Sequence, residues 1–138
     1  MIRAGLVAVA AAWVLGCDAE TVIGPEGGVL VSDDGRFSLD IPAGALGADI
    51  ELSVVEVECQ LEDYVDACYS ALPRGTTFRL PAEVSYDLEA PLMGDVALVT
   101  LTAEGWRTLP DHRVHAAHGV VTGSAMYLSD YELVRVQH

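Results

Sequence analysis

The side chains best suited to holding a metal ion sit in one short stretch: Asp111, His112, His115 and His118, with the histidines three residues apart. Imidazole nitrogens and a carboxylate suit zinc, nickel or copper. On an extended strand, residues three apart point to opposite faces, so a single site forms only where the segment turns sharply. Leu109-Pro110 before the stretch and Gly119 after it favour a loop or hairpin, and a solvated loop is the plainer expectation. Asp33-Asp34-Gly35 and the set Glu56, Glu58, Glu62, Asp63 and Asp66 carry the hard oxygens that calcium prefers. Neither has the spacing of a helix–loop–helix calcium site, and such residues are ordinarily solvated. Trp106, Tyr127 and Tyr131 either form an aromatic binding surface, as in carbohydrate recognition, or pack inside the fold. No Ser/His/Asp set, nucleotide loop or paired-carboxylate motif is present. No catalytic residue, no enzymatic activity and no cofactor are therefore expected.

Thiols are the remaining reactive groups. There are three cysteines, an odd number that in a secreted protein implies a free thiol or an intermolecular bond. Cys17 follows a 13-residue apolar run, Ala4 to Gly16, with Arg3 before it and Asp18 and Glu20 after. A charged start, an apolar stretch and a small residue before the break describe a secretory signal. The run falls short of the roughly 20 residues that cross a bilayer as a helix. Val14-Leu15-Gly16-Cys17 resembles the lipobox of bacterial lipoproteins. In that family the cysteine thiol receives a diacylglycerol and the preceding peptide is removed. The resemblance implies a signal peptide over 1–16, a lipidated N-terminus and tether over 17–24, and a place in the bacterial cell envelope. Lipoproteins of this kind carry two or three acyl chains, enough for stable attachment where one is marginal. Asp18 resembles the inner-membrane retention signal of enteric bacteria, a rule that varies between groups, so inner and outer membrane both stay open. Lipid on Cys17 leaves one pair, Cys59 and Cys68, expected as a structural disulfide worth about 2.5–3 kcal/mol in the chain-entropy model.

Composition narrows the partners. Without residues 1–16 the chain holds 122 residues, enough for one domain with its own core. It contains no lysine, and six arginines then face 21 acidic residues. That balance excludes nucleic acid, whose phosphates demand cationic neutralisation, and a polybasic contact with anionic lipid. It favours solubility and attracts cations or basic partners.

The elements that must position these groups read as short strands between turns. Val29 to Ser32 and Arg36 to Ile41 flank Asp33-Asp34-Gly35, a hairpin signal. Phe37, Leu39 and Ile41 alternate with polar residues, which places them on one sheet face. Ile50 to Cys59 alternates too, with Glu56 and Glu58 disturbing its end and suggesting a slip or bulge. The acidic loop Gln60 to Ala67 follows. Thr76 to Leu80 and Ala82 to Leu88 are strand-like, with Pro81 between them; it cannot donate to a central ladder and so marks an edge, a bulge or a change of sheet. Val96 to Thr102, Trp106 to Leu109, Val120 to Ala125 and Tyr131 to Val136 complete the set. No segment after the signal has an amphipathic helical period. An all-β chain forming a single antiparallel β-sandwich is expected.

Gly27-Gly28-Val29-Leu30 and Phe37-Ser38-Leu39-Asp40-Ile41-Pro42-Ala43-Gly44-Ala45-Leu46 resemble the opening of the ZU-five domain. Its middle is echoed in Leu72-Pro73-Arg74-Gly75-Thr76-Thr77-Phe78-Arg79-Leu80-Pro81-Ala82-Glu83-Val84. Bacterial relatives close with a tryptophan strand and a turn into His-Phe-Ser. Gly105-Trp106-Arg107-Thr108-Leu109 and Tyr127-Leu128-Ser129-Asp130-Tyr131 hold those places. The resemblance spans about residues 24 to 136 and implies a β-sandwich over 25–137 used for protein interaction, with Ala45 and Leu46 plugging one end. Some family members cut their own chain before the serine, with the histidine as base. Here Tyr127 replaces that histidine, and a phenol of pKa near 10 is a poor base at neutral pH, so Tyr127 and Leu128 are expected to pack at a strand boundary. The function expected is a membrane-anchored, non-catalytic module for protein interaction or envelope structure, with Tyr64 among its contact residues and its partner unknown. A divalent-metal binder using His112, His115 and His118 is the first alternative, and a self-cleaving domain the second.

Overall fold

The computed structural model describes residues 21–137, so Cys17 and the signal peptide expected before it lie outside the described residues. Among the described residues there are eleven strands and no helix: β1 (Thr21–Ile23), β2 (Gly28–Val31), β3 (Phe37–Ile41), β4 (Ile50–Val57), β5 (Cys68–Leu72), β6 (Thr77–Asp87), β7 (Val96–Thr102), β8 (Gly105–Thr108), β9 (Arg113–His115), β10 (Val120–Tyr127) and β11 (Asp130–Arg135). They form two antiparallel sheets, one ordered β9-β10-β6-β3-β2 and one ordered β1-β4-β5-β11-β7-β8. The two inner faces pack into one core, as the alternation requires.

Period-two patterning decides which residues enter that core. Phe37, Leu39 and Ile41 are buried from β3, and Leu30 of β2 faces Leu39 in register. The facing sheet contributes Leu52, Val54, Tyr69, Ala71, Leu98, Tyr131 and Leu133. Ala45 and Leu46, in the connection after β3, are buried and close one end. At the other end Gly35 takes φ of 77°, which the tight turn between β2 and β3 needs, and its N–H donates to the Ser32 carbonyl at 2.9 Å.

Four local expectations change. The stretch read as the end of a tether is β1: Thr21 pairs with Leu52 and Ile23 with Ile50, and Ile23 is buried beside Gly28. Pro81 does not divide two strands but lies inside β6, at an exposed position. β3 pairs with β6 only from Asp40–Glu83 onward, and the β10 register shifts between Ala125 and Tyr127 opposite this stretch, the irregularity expected of the proline. The suspected slip near Glu56 is absent, because β4 and β5 stay in register from Ser53–Leu72 to Val57–Cys68. β5 and the three-residue β9 are strands that the sequence pattern does not predict. β5 is inner to its sheet and buried on both faces, which removes the alternation that marks a half-exposed strand.

Candidate functional site

The disulfide sits at the end of the sandwich where β4 finishes and β5 begins. β4 leaves its sheet after Val57, and the acidic loop 58–67 bulges outward before the chain returns at Cys68. Cys59 and Cys68 are bonded, S–S 2.04 Å and Cα–Cα 5.3 Å, which closes the loop at its base. The pairing expected from the cysteine count is the one present.

Four further fastenings hold the loop. The carboxylate of Glu132, on β11 and only 2% exposed, accepts the Gln60 N–H at 2.8 Å and the Leu61 N–H at 3.0 Å. β11 pairs with β5 only at Asp130–Ser70 and Tyr131–Tyr69. Beyond that point the loop takes the place of β5: the Val65 N–H donates to the Leu133 carbonyl at 2.7 Å, the Arg135 N–H donates to the Asp63 carbonyl at 2.9 Å, and Tyr64 bridges Val134. The Tyr86 hydroxyl reaches out of the core to donate to the Ala67 carbonyl at 2.5 Å. On the outside, Arg36 forms an ion pair with Asp66 and lies 3.8 Å from Glu89.

What these contacts leave exposed is Tyr64, at 50%, beside a groove of about 620 Å³ that it lines with Glu56, Glu58, Asp66 and the two cysteines. Asp33 and Asp34, in the turn after β2, belong to the same end. Partial burial pushes the Asp34 carboxyl up, but hydrogen bonds from the Ser32 hydroxyl at 2.5 Å, the Tyr69 hydroxyl and the Arg36 N–H at 3.0 Å outweigh it and hold the group below the ordinary carboxylate range. Burial, reinforced by that bond to Asp34, pushes the Tyr69 phenol far above its ordinary value. The end is a rigid acidic surface with one half-exposed aromatic ring.

The histidines are not brought together. His112 turns toward β7, where its Nε2 accepts the Leu98 N–H at 3.0 Å, so that lone pair is already used. His115 is exposed on edge strand β9, and His118 is exposed in the turn before β10. Among the described residues no group of three or more His, Cys, Asp or Glu is placed to hold a metal ion. Tyr131 is fully buried, its ring centroid 5.2 Å from that of Phe37, which removes it from any surface shared with Trp106 and Tyr127. Ser129 is buried and donates its hydroxyl to the Leu101 carbonyl at 2.7 Å. Leu128 is buried and Tyr127 half-buried, the packing expected at that boundary.

Sequence reasoning passed over Glu132 and Arg36. The available signal for Glu132 was a lone carboxylate within the otherwise apolar Tyr131 to Val134 stretch. Comparison with known proteins gives no relative: no family model matches the chain, and no curated protein matches it.

His112 gives the fold a pH dependence of defined sign. Burial holds its imidazole below the ordinary value of 6.5. The stability this adds is complete above the unfolded value and declines as pH falls from there toward the folded value, because the unfolded chain takes up a proton that the folded chain resists. Asp34 acts in a separate window. Its depressed carboxyl adds stability above the ordinary carboxylate value, and this is lost as pH falls through the folded value. The urea midpoint of the wild-type chain should therefore drop between about pH 7 and 5.5, whereas His112→Gln, which keeps an acceptor for the Leu98 N–H, should flatten that drop. An unchanged slope in the variant would assign the titration elsewhere.

Proposed function

We propose that the chain is a bacterial envelope lipoprotein, lipidated at Cys17, whose β-sandwich of ZU-five type binds a protein partner without catalysis. The observation that carries the binding half is the fastened loop: a disulfide, a buried carboxylate, a backbone ladder and an ion pair hold residues 58–67 while leaving Tyr64 exposed. Holding a surface in place before association removes ordering cost from binding. Tyrosine is among the residues that anchor interfaces. A ring among carboxylates suits a cationic segment, with a guanidinium or ammonium over the Tyr64 face and acidic groups around it.

The anchored half rests on the lipobox-like residues Val14 to Cys17 and on the direction in which the fold begins. Because Thr21 pairs with Leu52 and Ile23 with Ile50, the chain enters β1 from the end that bears the disulfide. A lipid on Cys17 would keep Thr21 within about 14 Å of the attachment point, the reach of four extended residues. The acidic end then lies close to the bilayer, and a partner there is itself membrane-bound or peripheral.

Crosslinking in intact membranes through a photoreactive group beside Tyr64 tests the reading. A discrete partner should be captured, about tenfold less with Tyr64→Ala and less again at about 0.5 M salt. A pattern unchanged by both Tyr64→Ala and Glu58→Lys sinks the binding surface. Mass spectrometry of the N-terminal peptide tests the anchor on its own, and an unmodified Cys17 or an uncut signal removes it.

A further inference from the structure

On the side of the sandwich away from the disulfide, the sheets part between β7 and β8 below and β10 above. A mainly apolar cleft of about 240 Å³ lies there, walled by Thr100, Leu109, Pro110, Ala125 and Tyr127, with Arg107 at its rim. It is preformed. The strap Leu109–Pro110 crosses from one sheet to the other, tied by the Leu109 N–H to the Leu98 carbonyl at 3.0 Å and by the Ser124 N–H to the Pro110 carbonyl at 2.8 Å. A Cβ at position 123 would stand 2.7 Å from the Leu109 Cβ, so Gly123 is what lets the strap lie against β10. The hydroxyls of Thr100 and Thr102 donate to the Asp130 and Gly105 carbonyls, so neither donates into the cleft.

Arg107 is the cation that lines this cleft. It stands opposite Thr100 in register, and Thr100 shares its strand face with core residue Leu98. The guanidinium stem therefore occupies a core-facing position on an edge strand. Like Arg79, Arg113 and Arg135, it has no carboxylate within salt-bridge distance among the described residues, and it is the one of these that lines the cleft. Among the described residues its guanidinium makes a 3.3 Å contact to the Trp106 carbonyl. A cation with no carboxylate partner among the described residues thus borders an apolar slot.

We propose that this cleft binds a small amphipathic carboxylate, its apolar body between the sheets and its carboxylate on the Arg107 guanidinium. A cavity of about 150 Å³ accommodates benzene, so this one takes a body of roughly nine or ten non-hydrogen atoms, a ring with a short side chain. Arg–carboxylate pairing is charge-assisted and can be bidentate, which selects the acid over a neutral compound of the same shape. The site is separate from the acidic end and stands whether or not that end binds a protein.

The probes are phenylpropionate and its neutral counterpart phenylpropanol, added to the purified full chain with methyl labels on alanine and leucine. Saturable shifts of the Ala125 and Leu109 methyls are expected with a Kd of about 1 mM or tighter for the acid, and binding about fivefold weaker for the alcohol. Arg107→Gln, an exposed change, should erase that difference and keep alcohol binding. Ala125→Leu fills the slot and should abolish both; if that variant does not fold, the shift map and Arg107→Gln decide alone. No saturable shift up to about 20 mM, equal affinity for acid and alcohol, or shifts that spare Ala125 overturns the proposal.

Discussion

Glu132→Ala should lower stability by about 2–3 kcal/mol, because the backbone donors Gln60 and Leu61 lose a buried, charged acceptor at once. Denaturant unfolding measures the loss, and amide exchange locates it. Removing the disulfide by paired Cys59→Ala and Cys68→Ala should cost a similar amount, about 2.5–3 kcal/mol, yet by another route: it frees the unfolded chain rather than a native hydrogen bond. The two changes therefore separate in exchange. The Gln60 and Leu61 amides should stay protected without the disulfide and become fast without Glu132. Glu132→Gln falls between them, since its amide offers an oxygen to one N–H and sets an NH₂ group against the other. If all three variants exchange alike, Glu132 does not hold the loop.

Phe37→Ala should be the most damaging single change in the core, at about 3–5 kcal/mol. Its ring lies 4.9 Å from that of Tyr69 in a stacked arrangement, 5.2 Å from that of Tyr131 and 6.4 Å from that of Tyr86, edge-on. The substitution thus empties the centre of a four-ring cluster shared by both sheets. Two of those tyrosines also reach outward, Tyr69 to Asp34 and Tyr86 to Ala67, so the damage should spread to the acidic loop. Phe37→Leu keeps most of the volume and should cost about 1–1.5 kcal/mol. Parallel losses for leucine and alanine would mean that ring contacts rather than volume dominate.

Much of the architecture was legible because a half-exposed strand must alternate. Phe37 to Ile41 and the first part of β4 carry that alternation plainly, and Asp33-Asp34-Gly35 marks a turn by its own chemistry. β5 was not legible, since Cys68 to Ala71 are buried on both faces and periodicity carries no information there. β1 escaped because three residues are too few to show a period. At the acidic end, Tyr64 and the cysteine pair could be picked out locally. The grip of Glu132 on Gln60 could not, because it joins residues 72 apart in sequence whose meeting depends on how β5 and β11 diverge. Arg36 and Asp66, 30 apart, pose the same difficulty.

The direction of β1 also has a mechanical side. A pull on Thr21 along the strand axis meets hydrogen bonds to β4 that run across it. The three pairs Thr21–Leu52, Val22–Glu51 and Ile23–Ile50 are thus loaded together in shear rather than unzipped one after another. A tug that reached them would also have to draw Ile23 out of the core. Short as it is, β1 is set to resist a force applied along its own axis.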